Sequence, residues 1–155
     1  MNAKKFIAAS GAVAGTATAL FTAASAAAYP ETSTFGTQQQ LDDAGGAVVT
    51  AWTVSELRPS SDAVAFPVQG TLWEATATVD AVHGTVTPVV PNFNARDDEG
   101  TNYRALATVA TPLGVNPAPL AEGATETGKV YFDVVGPTPD EVVYSNGVED
   151  LLIWE

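Results

Sequence analysis

The stretch GTLWEATATVDAVH, residues Gly70 to His83, decides the fold. Trp73, Ala75, Ala77, Val79 and Ala81 fall on one side of an extended chain, and Glu74, Thr76, Thr78 and Asp80 on the other. This period of two belongs to an antiparallel strand with one face in a core and one in water. The small alanines leave room for bulky partners such as Phe93, Phe132 or Trp154. His83 continues the apolar face and reads as a partly buried structural histidine, and Gly84 ends the strand.

Outward from this strand the pattern repeats. A weak strand is expected within Phe35–Leu41, a turn at Asp42–Gly46, and a strand over Ala47–Leu57 with Val48, Thr50, Trp52 and Val54 on one face. The segment Arg58–Asp62 breaks that strand, and Pro67 makes the next stretch an edge or a loop. Phe93–Leu106 reads as a hairpin with Asp97, Asp98, Glu99 and Gly100 at its tip. Thr111–Gly128 reads as a long Pro/Gly/Ala loop, and Lys129–Val135 as a strand with Val130, Phe132 and Val134 inward. Glu141–Tyr144 and Glu149–Trp154 close the chain as a hairpin on an Asn146-Gly147 type I′ turn, its last strand covered on both faces. The expected fold is all-β, an immunoglobulin-like antiparallel β-sandwich of about seven or eight strands, with Trp52 or Trp73 as its core tryptophan.

Residues 1–27 carry the marks of a secretory signal peptide. Lys4 and Lys5 form a positive start, Phe6–Leu20 an apolar segment too short to span a bilayer, and Ala24–Ala28 a small-residue site with cuts possible after Ala26, Ala27 or Ala28. Residues 28–155 are then a single domain, exported, with no membrane span in the mature form. Removing Lys4 and Lys5 leaves Arg58, Arg96, Arg104 and Lys129 against 18 acidic residues, a net charge of −14. Such a surface repels phosphate backbones, so nucleic acid is excluded as a partner.

The inventory excludes more. There is no Cys, Met1 is the sole Met and His83 the sole His. Thiol catalysis, iron–sulfur sites and three-histidine zinc are therefore out of reach, and stability must come from packing rather than disulfides. No cofactor is expected.

Four segments carry a family resemblance: Trp73–Val79 (WEATATV), Phe93–Leu106 (FNARDDEGTNYRAL), Thr127–Pro139 (TGKVYFDVVGPTP) and Asn146–Glu155 (NGVEDLLIWE). Together with Tyr29-Pro30 they resemble the small secreted immunogenic protein family of mycobacteria and related actinobacteria, over most of residues 28–155. The resemblance implies an extracellular immunoglobulin-like sandwich without enzyme activity, and it brings no catalytic residues. Thr108–Glu126 matches least.

The remaining candidates have ordinary readings beside them. Asp97, Asp98 and Glu99 are a weak candidate calcium site, set against a solvated turn closed by Gly100. Ser33, Ser55, Ser60, Ser61 and Ser145 lack a nucleophile-elbow pattern. Glu74 and Asp80 are too far apart along one strand for a glycosidase pair. Trp52, Trp73 and Trp154 fit core packing better than a sugar platform. The expected function is a secreted, monomeric, non-enzymatic module binding an unidentified extracellular protein or surface ligand through the 97–100 and 111–126 loops. The alternatives are a carbohydrate-acting hydrolase using two carboxylates and a structural cell-envelope component.

Overall fold

The computed structural model describes residues 29–108 and 110–155. The signal-peptide reading of residues 1–27 lies outside them. Nine strands follow in order: β1 Glu31–Ser33, β2 Gln38–Asp43, β3 Val48–Pro59, β4 Thr71–His83, β5 Phe93–Arg96, β6 Asn102–Arg104, β7 Thr125–Val134, β8 Glu141–Ser145 and β9 Asp150–Trp154. Two short 3₁₀ turns, Ala44–Gly46 and Val90–Asn92, are the only helical pieces among the described residues. The strands form a five-stranded sheet, β1-β9-β8-β5-β6, and a four-stranded sheet, β2-β3-β4-β7. This is the expected all-β sandwich, with nine strands rather than seven or eight. It is antiparallel except for β1, which runs parallel to β9 with Thr32 opposite Ile153.

The alternation of β4 sets the core. Ala75, Ala77, Val79 and Ala81 are at most 1% exposed. Across the core, Trp52 of β3 meets Phe93 of β5 edge-on, with centroids 4.9 Å apart. Tyr144 of β8 completes the trio, 5.6 Å from Trp52 and 4.9 Å from Phe93. Trp154 is also fully buried and donates its indole N–H to Thr37 O at 2.8 Å. Phe132 is not across from the alanines: it is opposite Trp73 in the same sheet, because β7 pairs with β4.

Two bulges re-phase this sheet. Ser55 is opposite Thr76 and Arg58 opposite Glu74, so Glu56 and Leu57 together face Ala75. Glu56 takes a left-handed φ of 61° there. A bulge of one residue exchanges the two faces of a strand. Leu57 consequently packs on the core, while Arg58 arrives on the outer face beside Glu74. At the other end Val49 is opposite His83 and Thr50 opposite Ala81, which leaves Val82 unpaired. His83 thereby loses the inward phase. It is exposed, with Nδ1 3.0 Å from Glu122 Oε2, and is not the partly buried residue the alternation suggested.

Other boundaries moved for local reasons. The first strand signal, Phe35–Leu41, corresponds to β2, which starts at Gln38 and runs on to Asp43; β1 precedes that range and was not expected, and the turn between the two is held by Thr37 N donating to Thr34 O. β7 begins at Thr125, four residues before Lys129, because Thr125–Gly128 pair with Ala77–Asp80. The β8–β9 turn is not type I′. Asn146 lacks the positive φ that such a turn needs, and Gly147 alone has it. A four-residue loop is closed instead by Asn146 Oδ1, which accepts the Val148 and Glu149 amides at 2.9 and 2.8 Å. β9 is also less covered than its apolar run suggested: Leu152 and Trp154 are buried, Leu151 and Ile153 only half-buried.

Candidate functional site

The outer face of the four-stranded sheet is not the open surface that alternation predicts. Glu74, on that face, is 5% exposed, and its β7 neighbour Tyr131 is 3% exposed. The cause is the segment after β3, which folds back so that Ser60 and Asp62 lie over the sheet. Ser60 N donates to Leu72 O at 2.8 Å, and the far end is tied by Gln69 and Gly70 amides donating to the Asp133 carboxylate at 2.9 and 2.8 Å.

Beneath this cover six side chains interlock. Arg58 reaches Glu74 Oε1 through Nε and Nη2 at 3.2 and 3.1 Å. Ser60 Oγ donates to Glu74 Oε2 at 2.5 Å. Lys129 Nζ donates to Glu74 Oε2 at 2.9 Å and to Asp62 Oδ2 at 2.5 Å. Tyr131 Oη also donates to Asp62 Oδ2, at 2.7 Å. Two cations and two carboxylates balance, which is the condition for burying charge at tolerable cost.

The electrostatics follow from these contacts. The hydrogen bond from Lys129, then that from Tyr131, holds the Asp62 carboxyl below its ordinary range. Burial pushes Glu74 up, but hydrogen bonds from Ser60, Lys129 and Arg58 outweigh it and leave the carboxyl low. Lys129 is raised by its bonds to Asp62 and Glu74, and Tyr131 is raised by burial and by Asp62. All four groups are locked in their ordinary charge states at neutral pH. A glycosidase needs one carboxyl raised to act as acid, and this pair is shifted the other way. Ser60 donates to a carboxylate and accepts the Asp62 amide at 3.2 Å, so no base is placed to activate it.

Beside this cluster a hollow of about 260 Å³ opens between the sheet edge and the segments 105–108 and 110–124. Pro88, Val90, Leu106, Val115 and Pro117 line it, and Lys129 and Tyr131 form its inner wall. These segments are pinned rather than free. Val115 N donates to Lys129 O, Lys129 N to Leu113 O, and Leu106 N to Tyr131 O, which closes the edge of β7. Val86 and Leu120 exchange both backbone hydrogen bonds. Gly128 is required at this crossing, because a Cβ there would strike the Val115 amide nitrogen. Asn116–Pro119 remain exposed at the outer bend.

The acidic tip is built as a turn. Asp97 is 3% exposed, and its Oδ1 accepts the Glu99 and Thr101 amides at 3.1 and 2.6 Å. Burial pushes this carboxyl up, and the Thr101, Glu99 and Gly100 contacts bring it below its usual range. Asp98 and Glu99 are exposed, whereas Asp97 is buried. Among the described residues no group of three or more His, Cys, Asp or Glu is arranged to hold a metal. Trp52 and Trp154 belong to the core and Trp73 packs against it, so none is free as a sugar platform. Sequence reasoning missed the six-residue cluster. The signal available was the Glu74–Tyr131 and Thr76–Lys129 pairing of two polar faces, which needs strand register to be seen.

Comparison with known proteins places these features in a family. Residues 30–154 match the family model described as a domain of unknown function, DUF1942. The immunogenic proteins MPT63 of Mycobacterium tuberculosis and MPB63 of Mycobacterium bovis are each 49% identical over 130 residues, covering 83% of this chain and 82% of theirs. The crystal structure of the secreted MPT63 superposes with a TM-score of 0.79 at 48% identity, covering 83% of this chain and 99% of that one. The yjhA protein of Bacillus subtilis shares the fold alone, with a TM-score of 0.50 at 15% identity over 77% of this chain and 84% of that one. Like MPT63, the present chain is a secreted, extracellular protein, and no helix among its described residues is long and apolar enough to cross a membrane. The chain belongs to the family of the mycobacterial immunogenic proteins MPT63 and MPB63.

Proposed function

We propose that this protein is an extracellular binding module that catalyses no reaction and recognises a protein or surface ligand through the bend at Asn116–Pro119 and the hollow beneath it. One observation carries the reading. The most concentrated set of ionisable groups, around Glu74, is charge-balanced, with both of its carboxyl groups lowered, so it offers neither an acid nor an activated nucleophile. That chemistry suits holding a surface in shape. The relatives' description as immunogenic proteins, with no enzyme activity in it, supports the same reading.

The bend suits recognition because it is exposed and proline-rich while one flank, Leu113–Val115, is anchored to β7 and the other, Leu120, to Val86. A preordered loop loses little entropy on binding. The test is capture from host and bacterial extracellular extracts by the immobilised protein, repeated with Asn116–Pro119 replaced by a Gly/Ser stretch of equal length. Loss of a specific captured partner in the replaced form is expected. Unchanged capture would move the surface elsewhere, and Glu74-dependent hydrolysis of any polysaccharide would end the non-catalytic reading.

A further inference from the structure

The sandwich does not close at the end marked by the Ala44–Gly46 turn and the β8–β9 loop. An opening of about 760 Å³ lies between β2–β3 on one side and β8–β9 on the other, with residues 85–92 as a third wall. Small-molecule sites typically occupy about 300–1,000 Å³. Leu41, Val48, Val89 and Leu151 give it apolar walls, and none of the four is fully buried. Its floor is aromatic: Trp52 and Tyr144, 1% and 6% exposed.

Two observations point to what would fill it. The first is an unused donor. Trp154 donates its indole N–H to a backbone carbonyl, but Trp52 Nε1 is buried and, although the Tyr144 hydroxyl lies close to it, makes no hydrogen bond of full geometry. Buried indole N–H groups usually find a partner, because leaving one unmade is costly. The second is the sign of the rim. Asp42, Asp43 and Glu149 line the opening, and no Lys or Arg does. A low-dielectric cleft bordered by one sign of charge concentrates the opposite sign, and aromatic faces favour cations.

We propose that this cleft is a binding site for a cationic amphipathic small molecule. The apolar body lies between the sheets, an oxygen acceptor takes the Trp52 indole N–H, and the positive group faces Asp42, Asp43 and Glu149. The site does not depend on the loop surface proposed above, so either can fail without the other.

The probes are benzoylcholine, benzamide and hippurate: one aromatic acyl body carrying positive, zero and negative charge. The readout is the ¹⁵N–¹H spectrum of the three indoles, with Trp52 assigned by Trp52→Phe. Benzoylcholine is expected to move the Trp52 Nε1–H resonance saturably and leave that of Trp154 in place. Its affinity is expected to exceed that of hippurate by tenfold or more, and that of benzamide by severalfold. The surface variant Asp43→Asn/Glu149→Gln, which keeps the core intact, is expected to weaken benzoylcholine several-fold. Equal binding of the three probes, no saturable shift with any of them at about 10 mM, or a double variant that binds as the parent does would overturn the proposal.

Discussion

Lys129 Nζ lies between two carboxylates, 2.5 Å from Asp62 Oδ2 and 2.9 Å from Glu74 Oε2. It is the ion that lets Glu74 be buried on what alternation marks as the water face of β4. Breaking such a pair leaves an uncompensated buried charge, whereas removing both members leaves none. Lys129→Met and Glu74→Gln are each expected to destabilise, and the double variant to lose less than the two single losses combined. The coupling free energy from denaturant unfolding should be about 1–3 kcal/mol. A coupling near zero would show the cluster to be ornamental.

The same cluster sets an acid limit. Asp62 and Glu74 have folded-state values below 3.8 and 4.5, so their contribution is present above those values and lost as pH falls through the lower folded ones. Lys129 is shifted up from 10.5, so its contribution is present below that value and lost as pH rises beyond it. The cluster's contribution to the melting temperature should be constant between these limits and be lost below about pH 4. In Glu74→Gln the acid fall should be shallower, as measured by calorimetry across pH.

Ala77 tests the packing of the two sheets. It is fully buried on β4, opposite Val54 on one side and Gly128 on the other. Ala77→Leu adds volume where the facing layer is filled by large aromatics, and is expected to cost about 1–3 kcal/mol. A neutral result in urea unfolding would mean the layer is looser than described.

Gly128 tests the anchoring of the 110–124 segment. A Cβ at this position would lie within 2.6 Å of Gly114 O. Gly128→Ala is expected to lift that segment from β7 and speed hydrogen exchange at the Val115 amide, with the opposite sheet unchanged. Unchanged exchange at Val115 would show that the crossing tolerates a side chain.

The acidic tip offers a metal test. Asp97 spends Oδ1 on the turn's own amides, and Asp98 and Glu99 are exposed. Calcium at about 1 mM is expected to leave the melting temperature unchanged, while Asp97→Ala lowers it by uncapping the turn. A calcium-dependent rise would make the tip a metal site.

The legible part of this fold is the part governed by period. Trp73 to Ala81 announced β4, Val130 to Val134 announced β7, and the tip at Asp97–Gly100 announced the β5–β6 hairpin. What was hidden depends on phase between strands. His83 and Arg58 each lie just beyond a bulge, and a bulge moves every later side chain to the other face. Tyr131 and Glu74 read as outward residues, which they are. Only the return of Ser60 and Asp62 over the sheet buries them, and a loop with no periodic signal cannot announce where it will lie. The cleft beneath the Ala44–Gly46 turn was equally hidden, because it is a gap between sheets rather than a motif.

The most direct measurement is the Glu74 carboxyl titration, followed by carbon-13 NMR in the intact protein. A scaffold role requires a value below the ordinary 4.5, held down by Ser60, Lys129 and Arg58. A value near 6 or higher would instead be that of a poised general acid, and would contradict the account of this protein as a binding module without catalysis.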